Sequence, residues 1–301
     1  MGVINKWSNN MQPESNNYFT VTPMSQRVFL KPGEVYNGSI TIINPVNSES
    51  DFNYKATVTP YSVVGEDYAA DLATKSNYNM MTDWVKIEEP TGTLKPNNSK
   101  EIKFSIKVPE NAPAGGQYAT IAISQNQSTD AKDGGVAVNN VFEMASLIYA
   151  EVAGETKHET EIIENQIPGF VTSAPITLKA LLKNEGNVHE TATIVIEAKD
   201  FFTGNVIVET ENDANRYTEL VMPETTRAVE RDINENLPAL GVVHIEQTIY
   251  YNGEQSVTTK DVIICPVWFM ILLGVTIAAI VGTIVMIVRK HHKKKKLLSV
   301  D

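Results

Sequence analysis

Five histidines, one cysteine and 36 acidic side chains are what this 301-residue chain offers for chemistry. The histidines are His158, His189, His244, His291 and His292. A zinc-protease helix needs two His four residues apart with a Glu between them, and His189-Glu190 has no second His at that distance. Cys265 stands alone, so neither a thiolate zinc site nor a disulfide framework can be built. There is no GxSxG elbow, P-loop or GxGxxG turn. The acids are plentiful, but a glycosidase pair is defined by separation in space, not by spacing in sequence. Asp130 to Gly135 departs from the ligand spacing of a calcium loop. The sequence therefore predicts no enzyme, no cofactor, no metal site and no catalytic residues, and it leaves ligand contacts unassigned.

The charge of the chain is partitioned. Its net −11 comes from 25 basic and 36 acidic residues, yet Arg289 to Asp301 alone holds six basic residues and one acid. Taking these away leaves 19 basic and 35 acidic side chains over residues 1–288, a net of −16. Nucleic-acid binding is excluded as a function, because phosphates need basic residues on the folded part. Between the two charged parts, Val267 to Val288 is apolar or small throughout. As a helix those residues would be ~33 Å long, enough to cross a hydrocarbon core of ~30 Å. Pro266 suits the first turn of a helix, and Trp268 suits an interface. The basic cluster opening with Arg289 and Lys290 predicts a cytoplasmic tail by the positive-inside rule. The expectation is a single-pass protein in contact with the lipid bilayer, its bulk outside the cytoplasm and any export signal lost upstream of Met1. Gly274, Ala278 and Gly282 recur every four residues, a small-residue face through which a homodimer can form.

The rest of the chain has to position whatever it binds, and it reads as strands. Lys100 to Val108 alternates polar and apolar residues, the period of a half-buried strand. Gly38 to Ile43, Phe52 to Pro60, Gln117 to Ser124, Ile176 to Leu182, Thr191 to Ala198 and Val242 to Tyr251 behave similarly. Gly, Pro and Asn clusters separate them, with Asn252-Gly253 as a hairpin turn. A weak internal repeat joins Leu94-Lys95-Pro96 and Pro109 to Gly116 in one half to Val221-Met222-Pro223 and Pro238 to Gly241 in the other. The fold class expected is all-β: two tandem immunoglobulin-like sandwiches plus one C-terminal transmembrane helix. The predicted layout is a disordered segment at 1–17, sandwiches at 18–153 and 154–262, a membrane helix at 263–288 and a basic tail at 289–301.

Phe19 to Pro23, Gln26 to Glu34, Ile43-Asn44-Pro45 and Val108 to Tyr118 resemble the first domain of bacterial WxL-interacting cell-surface proteins. That domain is similar to the immunoglobulin-like fold of pilus-assembly chaperones. The resemblance implies a membrane-anchored surface protein of the cell envelope that engages peptidoglycan or another surface protein. Its first domain would take peptidoglycan and its second a host or surface partner. Arg27 falls where pilus chaperones carry a basic residue that anchors a subunit's C-terminal carboxylate. A second basic partner is not identifiable, and the residue itself reads as a solvated strand-end side chain. Two alternatives accompany the main reading. One is a tail-anchored cytosolic scaffold resembling major-sperm-protein sandwiches, and the other is a membrane-tethered chaperone for surface subunits. For the main reading, the chaperone-like fold suggests a mechanism in which a partner strand adds to an exposed sheet edge, whereas the chaperone alternative implies a transient protein client.

Overall fold

Alternating β-branched and polar residues fold into antiparallel strands wherever the sequence pattern has a period of two. The computed structural model describes residues 19–46, 48, 50–128, 139–210 and 217–297. The expected disordered segment at 1–17 and most of the loop after Ser128 lie outside them. The chain divides into two compact units, the first comprising 1–159 with the short stretches 184–190 and 222–226, the second the remainder.

Unit 1 contains β1 (Thr20–Thr22), β2 (Ser25–Leu30), β3 (Val35–Asn44), β4 (Phe52–Pro60), β5 (Ser62–Val64), β6 (Ala69–Asp71), β7 (Val85–Ile87), β8 (Thr91–Leu94), β9 (Asn98–Lys107), β10 (Gly115–Ser128) and β11 (Asn139–Val152). One sheet runs β1-β3-β9-β7 and the other β2-β11-β10-β4-β8, while β5 and β6 form a separate ribbon. The first strand is thus split, β1 pairing with β3 and β2 crossing to lie parallel to β11. Inward-facing Ile40, Ile42, Ile102, Phe104, Ile106, Ile121, Ile123 and Ile148 fill the space between the sheets, and Phe19 stacks on Phe52 with ring centres 4.2 Å apart. Trp84 ends the short 3-10 turn Met80–Asp83 and packs partly buried on this core.

Unit 2 contains β12 (Thr160–Gln166), β13 (Phe170–Val171), β14 (Ile176–Asn184), β15 (Glu190–Asp200), β16 (Val206–Glu209), β17 (Tyr217–Val221), β18 (Thr225–Ile233), β19 (Gly241–Tyr251), β20 (Glu254–Ile264) and the helix α1 (Val267–Leu297); a few residues at the ends of β14, β15 and β18 cluster with unit 1. Its sheets run β12-β14-β18 and β13-β20-β19-β15-β16, with β17 also on β15. The β19–β20 turn is Asn252-Gly253, both at positive φ (46° and 77°). That is the backbone a two-residue I′ hairpin demands, and Asn and Gly adopt it at little cost.

The architecture is all-β and immunoglobulin-like, with one long apolar C-terminal helix. By length and composition Val267–Lys290 could cross a membrane, and none of its apolar stretch is buried against the protein. The helix does not stop at Val288 but continues through the basic residues to Leu297.

Candidate functional site

β11 is where the fold leaves backbone groups on offer. Its partner β10 pairs with it along the whole length, from Gly115 opposite Val152 to Ser128 opposite Asn139. On the other side β2 covers only Leu147 to Val152. The Leu147 amide donates to the Met24 carbonyl at 2.9 Å and the Ala153 amide to the Leu30 carbonyl at 2.8 Å. Odd-numbered residues therefore turn their N–H and C=O groups away from β10. By that alternation Val141, Glu143 and Ala145 present theirs to the same side, beyond the end of β2. Among the described residues no strand pairs there. The core-facing row of the strand continues past β2 as well, since Phe142 and Met144 pack on the core only partly buried. An added strand would cap both the open backbone and this apolar row.

A second feature crosses the sheet at right angles. Arg27 on β2 lies opposite Tyr149 on β11, and Tyr149 opposite Tyr118 on β10. Tyr61 follows Pro60, which lies opposite Ala119. The rings meet edge-on, Tyr118–Tyr149 at 6.0 Å and Tyr61–Tyr149 at 6.3 Å between centres. His189, from the stretch that clusters with unit 1, closes on this row at 5.5 Å from Tyr149 and shares a 3.2 Å hydrogen bond with the Tyr118 hydroxyl. Gly116 makes the row possible, because a Cβ there would sit 2.0 Å from the Tyr118 hydroxyl oxygen. Gln117 fixes the same strand from its other face, accepting from the Met81 amide at 3.1 Å and donating to the Asn77 carbonyl at 2.7 Å.

The electrostatics of the row have one charged end. Burial, and then the nearby positive charge of Arg27, hold His189 down at about 4, so the imidazole is neutral at pH 7. Burial pushes the Tyr118 phenol well above its ordinary value. Arg27 is exposed and, among the described residues, forms no ion pair or hydrogen bond. An unpaired guanidinium beside aromatic faces in an acidic protein is suited to a carboxylate, which it can bind through two parallel hydrogen bonds.

The residues singled out on the helix are placed differently. Trp268 is 61% exposed at its start, and Cβ atoms built on Gly274 and Gly282 would meet nothing within 4 Å. Ala278, Arg289 and Lys290 lie on the same exposed helix, so all six belong to unit 2. Two of the histidines make surface pairs, His158 with Glu190 at 2.5 Å and His244 with Asp261 at 2.6 Å. No group of three or more His, Cys, Asp or Glu among the described residues could hold a metal ion. Sequence reasoning reached Arg27 but missed Tyr61, Tyr118, Tyr149 and His189. The available signal was Gly115-Gly116-Gln117-Tyr118, where a glycine two residues before an aromatic leaves room for its ring.

No protein-family model and no curated protein matches the chain. Solved structures do. A chain of the chaperone–tip adhesin complex of CFA/I fimbriae biogenesis is 13% identical over 81% of this chain and 98% of that one, with a TM-score of 0.40. The class 5 fimbriae chaperone CfaA is 15% identical over 81% and 99%, with a TM-score of 0.39. The Escherichia coli chaperone DraB is 11% identical over 81% and 96%, with a TM-score of 0.38. The likeness is to an immunoglobulin-like, pilus-chaperone-like fold and not to the WxL-interacting family.

These matches stand against two expectations. The expected membrane-anchored surface protein engaging peptidoglycan is not what the chain is similar to, since the structures found include fimbrial chaperones and their complexes. The expected single-pass membrane location with a cytoplasmic tail is likewise not that of the matches, which include the periplasmic chaperone SfaE, 10% identical over 82% of this chain and all of that one, with a TM-score of 0.35. The physical reason for both errors is the same. The uncharged C-terminal run dominated a reading in which the topology of the strands was invisible.

Proposed function

We propose that the protein is a chaperone-like binding protein that holds a protein client by strand addition. One extended segment of the client lies along β11 beyond the end of β2, and its C-terminal carboxylate rests on Arg27. The observation that carries this reading is the open edge at Val141, Glu143 and Ala145 in line with an unpaired guanidinium. Backbone pairing supplies affinity for any extended chain, and the side-chain row beside it supplies register. In this reading the sandwich expected at 18–153 binds the client and the one at 154–262 does not. By analogy with the matched complexes the client is a pilin- or adhesin-like subunit, and the compartment is the periplasm.

The test is a photo-crosslinking amino acid placed at Glu143 of the full-length protein in its own host, with crosslinked peptides read by mass spectrometry. The expected product joins position 143 to the C-terminal segment of one secreted subunit. Crosslinks that reach only internal client segments, or none at 143 while a crosslinker on β20 captures the client, overturn the reading.

A further inference from the structure

Tyr118 belongs to two features of unit 1 at once. In the strand register it continues the row from Arg27 through Tyr149, with its own ring buried. Together with Tyr61, Val63, Tyr78, Met222 and Pro223 it also lines a cavity of about 190 Å³, all within unit 1. A dry cavity of roughly 150 Å³ with an apolar lining accepts benzene, so this one has room for a single aromatic ring. Its one acid is Glu224, whose carboxylate accepts a hydrogen bond from the Tyr78 hydroxyl at 2.8 Å. Burial and then Glu224 push the Tyr78 phenol up to about 12, so that hydroxyl stays a donor at neutral pH. The charges are therefore opposed, negative at the cavity and positive at the start of the row. Two strand spacings separate Arg27 from Tyr118, roughly 10 Å. An arginine side chain and one client residue together span that distance.

The geometry points to a selection rule for the client: its C-terminal residue is aromatic, with the carboxylate on Arg27 and the ring in the cavity beside Tyr61 and Tyr118. The rule rests on the reading of β11 and Arg27 as the client site. Glu224 sets the direction, because it repels a carboxylate and leaves the ring end to enter. Small or charged terminal residues would leave the cavity empty or place a charge against aromatic carbon.

Synthetic extended peptides of alternating Val and Thr test this on the full-length protein by fluorescence anisotropy. Three versions are compared, ending in Tyr with a free carboxylate, in Ala with a free carboxylate, and in Tyr with an amide. The expected result is weakening by about tenfold or more for each change relative to the first peptide. A cavity-filling variant, Val63→Trp, is expected to bind the Tyr and Ala peptides equally while still discriminating against the amide. Equal binding of Tyr and Ala peptides to the unaltered protein, with the amide still weakened, overturns the selection rule alone. An amide that binds as well as the free acid, or no binding by any peptide, overturns the underlying client site.

Discussion

The last strands of the two units, β11 and β20, follow one plan and differ in what they leave exposed. Each is paired along its length with the strand before it and is covered at its C-terminal end by a short parallel strand, β2 in one case and β13 in the other. Beyond the cover, β20 carries Glu254, Ser256, Thr258 and Lys260 in the row that further along holds Val262 and Ile264. Lys260 also reaches the Ile167 carbonyl at 3.1 Å. Charges and polar residues of this kind blunt an edge against pairing with another chain. The matching row of β11 is Phe142 and Met144, followed by buried Ser146, Ile148 and Ala150. Two edges of the same construction thus have opposite chemistry, one protected and one apolar. The contrast teaches that topology supplies an edge in both units, while side-chain type decides which of them can receive a strand.

The strongest way to break this contrast is proline. Ala145→Pro removes an outward amide without a bond to β10 and puts a ring into the open edge, so client affinity should fall by about 100-fold with the fold kept. Thr259→Pro, at an outward position of β20 by the same alternation, should leave affinity unchanged. Titration calorimetry and circular dichroism on both variants check the pair. Next in size is Arg27→Ala, expected to weaken client binding by roughly 10- to 100-fold, with Arg27→Lys in between because an ammonium cannot form the paired contact. The melting temperature should stay the same in both, since the side chain is exposed and unpaired.

Gly116→Ala sharpens the comparison from inside the row. A methyl 2.0 Å from the Tyr118 hydroxyl forces the ring to move, with an expected loss of ~1–3 kcal/mol in a denaturant melt. A smaller effect comes from His189. Its folded value near 4 lies below its ordinary 6.5, so the unfolded chain binds more protons between those values. Stability should therefore be fully present above about pH 6.5 and decline as pH falls toward 4. His189→Phe should flatten that part of a stability–pH curve. The smallest effect is expected from deleting residues 267–301. The apolar stretch of α1 is not buried, so the melting transition of the sandwiches should not shift.

Much of the fold was legible because strands announce themselves locally. The alternation of Lys100 to Val108 and the Asn252-Gly253 turn correspond to β9 and the β19–β20 hairpin with end points shifted by a residue or two. What could not be read was register. Arg27, Tyr118 and Tyr149 are up to 122 residues apart in sequence, and only strand pairing sets them in one row. The open edge was equally hidden, because it depends on where β2 stops along β11, which is a property of two strands and not of either alone. Arg27 could be singled out only through a family resemblance, and its lack of a partner emerged from the structure.

Hydrogen exchange of individual backbone amides, with and without a bound client, tests the central claim most directly. The account predicts that the Glu143 and Ala145 amides exchange quickly in the free protein and become protected when client is added, while Thr259 and Asp261 on β20 do not change. Protection on β20 instead, or a client that binds and leaves Glu143 and Ala145 exchanging as before, would contradict it.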